Sequence, residues 1–339
     1  MEKIRFGKTE LMVSRIAFGG IPIQRVNTQE AVDTIRGVIE LGVNFIDTAN
    51  GYGNSEELIG LAIKGFPREN LVITSKSLER DKEAFLRHID LSLTRLGTDY
   101  IDLYQIHNIA TSQTYDEVFR EGGVYEGLME AVRAGKVRFP AFSSHHIPTA
   151  IRVMKEQDVA AVQLPFNYVD DTAAIEAIPL AKELDMGFIA MKPFGGGLLS
   201  DAKTSMKYLM QFDSIVPDPG IEKLSEMEEI VRIVEAGGKF DADDEAIVAK
   251  HKEEFSGIWC HRCEYCQPCP QKINISFALN IESVTIRMNY EQSVKLGGPV
   301  METARTCTEC RACADRCPYG LDIPGLLKEK QVFWENFIA

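Results

Sequence analysis

The chain has 339 residues, 45% of them hydrophobic and 26% charged, with a formal net charge of -13. That acidity argues against nucleic acid and anionic lipid as partners, and no apolar run approaches the ~20 residues that cross a bilayer. The opening MEKIRFGKTELMVS lacks the apolar core of a signal peptide, so a cytoplasmic protein with one large domain and a small appendage is expected.

The first element is a hairpin. Ile4-Arg5-Phe6-Gly7-Lys8-Thr9-Glu10-Leu11 alternates around a Gly-Lys turn and is placed to close one end of whatever follows. From about residue 13 to 217, short β-branched apolar runs alternate with amphipathic stretches. The runs are Arg15–Phe18, Val43–Asp47, Leu71–Lys76, Ile101–His107, Val137–Ser143, Ala161–Pro165, Gly187–Met191 and Ser214–Val216. Between them lie helical spacings such as Ala31, Ile35, Val38, Ile39 and Phe85, Ile89, Leu93, Leu96. Eight strands alternating with helices predict an α/β fold, a (β/α)8 TIM barrel. A doubly wound open sheet is the alternative. It usually shows a glycine-rich turn after its first strand, and Phe18-Gly19-Gly20-Ile21-Pro22 does not make G-x-G-x-x-G.

Beyond the last run, Ile221–Ala236 reads as a polar helix, Gly237-Gly238-Lys239 as a linker, and Asp243–Glu254 as a charged helix. All eight cysteines follow, between Cys260 and Cys317. Phe277–Leu296, between the two cysteine groups, is spaced as a helix through Leu279, Val284 and Ile286. The expected division is a barrel over 1–236, a linker and helix over 237–258, and a mainly helical module over 259–339.

In a parallel barrel, reacting groups sit where strands end. Asp47 and Tyr52 follow the second run, Lys76 ends the third and His107 ends the fourth. Each alone is unremarkable, since a strand-end Asp is commonly a helix cap and a lone His or Tyr is commonly structural. Together on one rim they suit carbonyl reduction, which needs a hydride at carbon and a proton at oxygen. Tyrosine is a weak acid with a reference pKa of ≈ 10. A nearby lysine cation favours its phenolate, an aspartate keeps that lysine charged, and a histidine can donate to the carbonyl oxygen.

The block FIDTANGYGNSEELIG, with TSK and LYQIH downstream, resembles the aldo-keto reductases over roughly residues 1–235. The resemblance implies a (β/α)8 enzyme that binds NADP or NAD without a Rossmann motif. It implies Tyr52 as general acid and base, Lys76 with Asp47 as the pair that sets its acidity, and His107 as carbonyl orienter. It also implies that Ser143 and Ser144, standing where the family has Ser-Asn, hold the nicotinamide carboxamide with Gln163. Met191 stands in place of a stacking tyrosine. Phe194, Gly195 and Gly197, in Met191-Lys192-Pro193-Phe194-Gly195-Gly196-Gly197-Leu198, would form the pyrophosphate loop. After the eighth strand the family carries basic residues for the 2′-phosphate of NADP. Here Glu222, Glu226, Glu228 and Glu229 crowd the segment, with Lys223 and Arg232 as the nearby cations.

Cys307, Cys310, Cys313 and Cys317-Pro318 have the spacing C-x2-C-x2-C-x3-C-P of a [4Fe–4S] cluster. Cys260, Cys263, Cys266 and Cys269-Pro270 form a second quartet with a last gap one residue shorter. In two-cluster ferredoxins the fourth cysteine crosses over. One cluster is therefore expected on Cys260, Cys263, Cys266 and Cys317, and the other on Cys307, Cys310, Cys313 and Cys269. The rival readings are structural thiols and zinc, which normally uses two C-x2-C pairs. The module resembles the ferredoxin-like tails of a branch of aldo-keto reductases.

The expected function is reversible nicotinamide-dependent reduction of a small aldehyde or ketone, or oxidation of the alcohol, with two [4Fe–4S] clusters in electron transfer and a redox partner protein. Two alternatives stand beside it. The clusters are structural in one; in the other the barrel is a scaffold for an electron-transfer tail. Hydride carries two electrons and a cluster one. A flavin normally mediates that split; the sequence has no flavin motif, although a barrel rim can accept FMN without one.

Overall fold

The computed structural model describes residues 1–339. The chain divides into two compact units, Met1–Gly195 with Leu199–Phe240, and Gly196–Leu198 with Asp241–Ala339.

The first unit opens with a hairpin of β1 (Lys3–Arg5) and β2 (Met12–Ser14), paired antiparallel. Eight parallel strands follow: β3 (Phe18–Gly19), β4 (Phe45–Asp47), β5 (Val72–Ser77), β6 (Ile101–Ile106), β7 (Val137–Ser143), β8 (Ala161–Pro165), β9 (Gly187–Met191) and β10 (Ile215–Asp218). They are ordered consecutively from β3 to β10. Main-chain bonds from Ala17 to Pro217, Gly19 to Pro219 and Ile221 to Gly19 link the two ends. The sheet is thus the (β/α)8 barrel that the alternation of runs and amphipathic stretches predicts.

Helices α1 (Thr28–Glu40), α2 (Ser55–Ala62), α3 (Lys82–Leu96), α4 (Ser112–Phe119), α5 (Val124–Arg133), α6 (Ile147–Glu156), α7 (Ala177–Glu183), α8 (Ala202–Leu209) and α9 (Leu224–Ala236) connect and follow the strands. Local chemistry sets their ends. Asn27 and Glu30 make a reciprocal capping box on α1, and Asp81 caps α3, which stops at left-handed Gly97.

The barrel interior changes character along its axis. At the N-terminal end Phe6, Leu11 and Val13 from the hairpin pack on inward-facing Phe45, Val72, Leu103, Ala141, Ala161, Ile189 and Val216. Two residues further along the same strands, and so on the same inward face, stand Asp47, Thr74, Gln105, Ser143, Gln163, Met191 and Asp218. All of these except Met191 are buried. An apolar plug thus supports a polar layer beneath the mouth.

Three sequence boundaries shift. The hairpin pairs three residues on each side, because a single 3-10 turn at Gly7–Thr9 occupies its tip. The first barrel strand begins at Phe18, because the Arg15 side chain turns under the barrel to donate to the carbonyls of Ile215 and Phe212. The last strand runs beyond Val216 to Asp218, pairing with β9 through Pro217 and Asp218.

The second unit holds α10 (Ala242–Phe255), α11 (Ile275–Leu279), α12 (Ile281–Arg287), α13 (Tyr290–Ala304), α14 (Ala312–Asp315) and α15 (Ile323–Ile338). The stretch expected as linker and helix, 237–258, contributes α10 to this unit. Its core gathers Ile275, Leu279, Ile281, Met301, Leu327 and Trp334 around the cysteine loops. A Cβ on Gly297 would lie 2.8 Å from Ile281 and from Trp334, which lets α13 pack closely. No helix of the chain is long and apolar enough to cross a membrane.

Candidate active site and metal centre

Lys76 and Asp47 meet inside the mouth of the barrel. The Lys76 ammonium donates to Asp47 Oδ1 at 2.8 Å, to Asp47 Oδ2 at 2.5 Å and to the Thr48 carbonyl at 2.8 Å. All three of its protons are therefore taken up, and the charge is fixed in place. Burial opposes that charge, but Asp47, Tyr52 and Asp218 outweigh it and push the Lys76 ammonium up to about 12.

Tyr52 reaches the same point from the loop after β4. Its backbone N–H bonds to the Ala49 carbonyl, and its own carbonyl accepts from Ser55 at the start of α2. Gly53, in the left-handed region at φ 56°, turns the chain there; a Cβ would come within 2.8 Å of Gln24 Oε1. The Lys76 ammonium lies 4.8 Å from the centre of the Tyr52 ring, over its face. The His107 ring stands edge-on to Tyr52, with centroids 6.2 Å apart and an interplanar angle of 79°. Desolvation, with the cations of Lys76, Arg80 and Lys192, holds His107 well below the usual imidazole range. It is neutral there and has one ring N–H to donate. The four residues separated by up to 60 positions in sequence therefore converge on one place.

The residues expected to hold the nicotinamide divide. Ser143 and Gln163 belong to the polar interior layer, paired across β7 and β8. Gln163 donates from Nε2 to Asp218 Oδ2 at 3.0 Å, while its Oε1 is buried without a donor. Ser144 is different. It is fully buried, donates to the Ile109 carbonyl at 2.7 Å and accepts from the His146 N–H at 3.0 Å. Its hydroxyl is committed to tying loops together, because it lies one residue past the end of β7. Met191 is half-buried at the end of β9 and Phe194 packs partly on the barrel core. Gly195, Gly196 and Gly197 are all left-handed, at φ 59°, 73° and 97°. Such a run favours glycine, and the Gly195 N–H is taken by the Lys192 carbonyl at 2.9 Å.

Sequence reasoning missed two features of the rim. Asp218 is buried beside Asp47 and Lys76, and burial with the Asp47 charge drives its carboxyl well above the usual range. The signal for it was the rule already used for Asp47, an acid at a strand end. The apolar pattern of the eighth run ends at Val216, two residues short of Asp218. The second feature is a chain of polar contacts from Lys192 Nζ to His145 Nε2 at 2.7 Å and from His145 Nδ1 to Asn108 Oδ1 at 3.1 Å. No local pattern announces it, since the three residues come from three loops.

In the second unit the cysteines line two separate cavities. Cys260, Cys263, Cys266 and Cys317 line one cavity, of about 320 Å³ including its open mouth. Cys269, Cys307, Cys310 and Cys313 line another, of about 330 Å³. The two loops share a backbone device. The residues flanking the second cysteine are left-handed in both, Arg262 and Glu264 around Cys263, Glu309 and Arg311 around Cys310. Arg316 donates to the carbonyls of Cys266 and Pro268, tying the second loop to the first. Nowhere do three or more His, Cys, Asp or Glu side chains converge on a point that one ion would fill. Three C-x2-C-spaced thiols joined by a fourth from the other loop suit a [4Fe–4S] cube, whereas zinc normally uses two C-x2-C pairs. Burial pushes the Cys260 thiol up to about 11 and the Cys266 thiol up to about 12. As thiolates they need the positive charge of bound iron.

Comparison with known proteins agrees with both halves. The model of the aldo/keto reductase family matches residues 15–252, and that of a 4Fe-4S dicluster domain matches residues 259–322. The uncharacterized oxidoreductase YrpG of Bacillus subtilis (strain 168) is 31% identical over 229 residues, 59% of this chain and 68% of that one. The NADH-specific methylglyoxal reductase of Escherichia coli (strain K12) is 28% identical over 233 residues, 60% of this chain and 71% of that one. The holo structure of aldo-keto reductase AKR11C1 from Bacillus halodurans superposes with a TM-score of 0.64 at 22% identity, covering 74% of this chain and 96% of that one, a likeness of fold. With an oxidoreductase barrel and a two-cluster tail in one polypeptide, the chain belongs to the aldo/keto reductase family and carries a 4Fe-4S dicluster domain.

Proposed function

We propose that this protein reduces a small aldehyde or ketone, reversibly, with a nicotinamide dinucleotide as hydride source, and that its tail holds two [4Fe–4S] clusters that pass single electrons. The observation that carries the reading is the convergence of Asp47, Tyr52, Lys76 and His107 at the mouth of the barrel. The nicotinamide, when bound, supplies or takes up the hydride. The remaining chemistry belongs to the chain. His107, neutral, donates its ring N–H to the carbonyl oxygen and sets its direction. Tyr52 delivers its phenolic proton to that oxygen as negative charge builds there. The Lys76 cation facing the ring stabilises the charge left on the phenol, and Asp47 holds the ammonium.

The donor set suits the carboxamide end of the cofactor. Gln163 Oε1 is a buried acceptor without a donor, which a carboxamide N–H would satisfy. Ser143 lies beside it in the layer. The reading also favours NADH over NADPH. Glu226 Oε2 accepts from the main-chain N–H groups of Glu222 at 2.8 Å and Lys223 at 3.1 Å. It thereby fills the N-terminus of α9 with its own carboxylate, in the segment where the family grips a 2′-phosphate. Arg25 is held by Glu222 at 3.3 Å.

For the clusters, Cys260, Cys263, Cys266 and Cys317 would hold one and Cys269, Cys307, Cys310 and Cys313 the other. The test is to reconstitute the protein anaerobically, add NADH with and without FMN, and follow the visible absorption band of the clusters. Bleaching without flavin supports electron passage between the two halves, and bleaching only with FMN names a carrier between them. No bleaching while carbonyl reduction persists assigns the clusters a structural role. No carbonyl reduction with any simple aldehyde or ketone overturns the enzymatic reading.

A further inference from the structure

A second carboxyl lies in the polar layer that the proposed chemistry leaves unused. Asp218 ends β10, is 7% exposed and points into the barrel. Its Oδ2 accepts from Gln163 Nε2 at 3.0 Å, and its Oδ1 receives no N–H or hydroxyl donor. The room it occupies is kept by Gly19 on the neighbouring strand. A Cβ there would stand 2.9 Å from Asp218 Oδ1 and 2.7 Å from the Pro219 carbonyl. Gly19 is in register with Asp47 on β4, so its bare position leaves the Asp218 carboxyl that overlies it open toward the Asp47 side chain.

The charges around this point are few. Asp47 comes from β4, Lys76 from β5 and Asp218 from β10, with Tyr52 above Lys76 and no further cation bonded to either carboxyl. One ammonium therefore stands against two carboxyls in a buried site. Two ionised carboxylates in contact repel strongly at such low dielectric, and a shared proton turns that repulsion into a hydrogen bond. The Lys76 protons all go to Asp47 and Thr48, so Asp47 keeps the charge and Asp218 takes the proton. Desolvation and the Asp47 charge act on Asp218 in that same direction.

We propose that Asp218 is a positioning residue of this site, holding one proton jointly with Asp47 beneath Lys76 and fixing the Gln163 amide with its oxygen turned toward the ligand. The pair sets a net charge of zero under the phenol: one ammonium, one carboxylate, one carboxylic acid. It also settles which end of Gln163 is available. With Nε2 committed to Asp218, only the acceptor Oε1 remains, and the ligand group it recognises must be an N–H donor such as a carboxamide. The role in cofactor binding rests on the reductase reading above; the shared proton does not.

The test uses the full chain with its clusters in place. Infrared difference spectra at neutral pH are taken between the parent protein and D218N. A carboxylic acid C=O band should be present in the parent, vanish in D218N, and disappear from the parent as pH rises. If the subtraction shows only carboxylate bands, the shared proton is overturned, whatever the enzyme reduces. The second arm measures KM for the nicotinamide. D218L, which cannot accept from Gln163, should raise it by about tenfold, the effect of losing one buried hydrogen bond. D218N, which keeps an acceptor, should recover most of that loss. An equal rise in both variants overturns the positioning of Gln163.

Discussion

The Lys76 ammonium touches both oxygens of Asp47 with neither side chain more than 4% exposed. Coulomb attraction at that separation is large only because water is excluded, and for the same reason either partner alone is costly. Lys76→Met should therefore abolish carbonyl reduction and destabilise the barrel by about 3–5 kcal/mol, since it leaves Asp47 charged and unpaired. Thermal melts followed by near-UV circular dichroism check the second part. The sign with pH is set by the raised lysine. Its contribution is complete below the ordinary lysine value of roughly 10.4 and is lost as pH rises through about 12. The gap between parent and variant should stay constant from neutral pH to the mildly alkaline range. A gap that closes there means the pair is not what holds the charge.

Tyr52 faces Lys76 through its ring and His107 through an edge. Removing only its hydroxyl keeps both contacts. Tyr52→Phe should lower kcat for carbonyl reduction by about 10²–10⁴, the usual worth of a positioned proton donor. Nucleotide affinity, measured by quenching of protein fluorescence, should change little. Retained turnover removes Tyr52 from the proton step.

The cysteine cavities make an unusual demand on single mutants. Cys317 follows Cys307, Cys310 and Cys313 in sequence but lines the cavity of Cys260, Cys263 and Cys266. Cys317→Ala should therefore cut iron from about eight to about four per chain and expose the far group to alkylation. Anaerobic labelling followed by mass spectrometry should find Cys260, Cys263 and Cys266 modified and Cys307, Cys310 and Cys313 protected. The opposite pattern means that each cluster is built from one contiguous run. Cys269→Ala should give the complementary result.

Glu226 caps α9 by accepting from the N–H groups of Glu222 and Lys223. A 2′-phosphate would meet that carboxylate and the neighbouring acids. NADH should be preferred to NADPH by at least about tenfold, equivalent to about 1.4 kcal/mol. Glu226→Gln should narrow the ratio by improving NADPH. A ratio that favours NADPH in the parent removes this part of the reading.

The plug at the closed end can be tested without reference to chemistry. A Cβ on Gly187 would lie 2.2 Å from Phe6, whose ring also stacks edge-on against Phe45 at 5.1 Å. Gly187→Ala should cost about 1–3 kcal/mol by overpacking, and most of that cost should vanish when the same substitution is made in a Phe6→Ala background, a coupling read from the double-mutant cycle. Unchanged melting of Gly187→Ala would show that the hairpin moves aside at no cost.

Much of this molecule could be read from local pattern. Period-2 alternation and short apolar runs are properties of neighbouring residues, so the strands, their order and the barrel were legible. Asp47, Lys76 and His107 were legible too, because each sits at the end of such a run. The C-x2-C spacings were equally plain, because a loop that wraps a cluster repeats over a few residues. Tertiary structure alone decided what lies across the barrel and across the tail. Asp218 comes to the side of Asp47 only because closure brings β10 beside β3, the neighbour of β4, and nothing near Pro217 in sequence signals that neighbour. Ser144 resembles a ligand-binding residue in the chain, yet one residue beyond β7 its hydroxyl falls among backbone groups that need it. Side-chain direction along a strand is a local matter. Which charges share a buried site, and so which of them keeps its proton, depends on distances that only the closed fold sets.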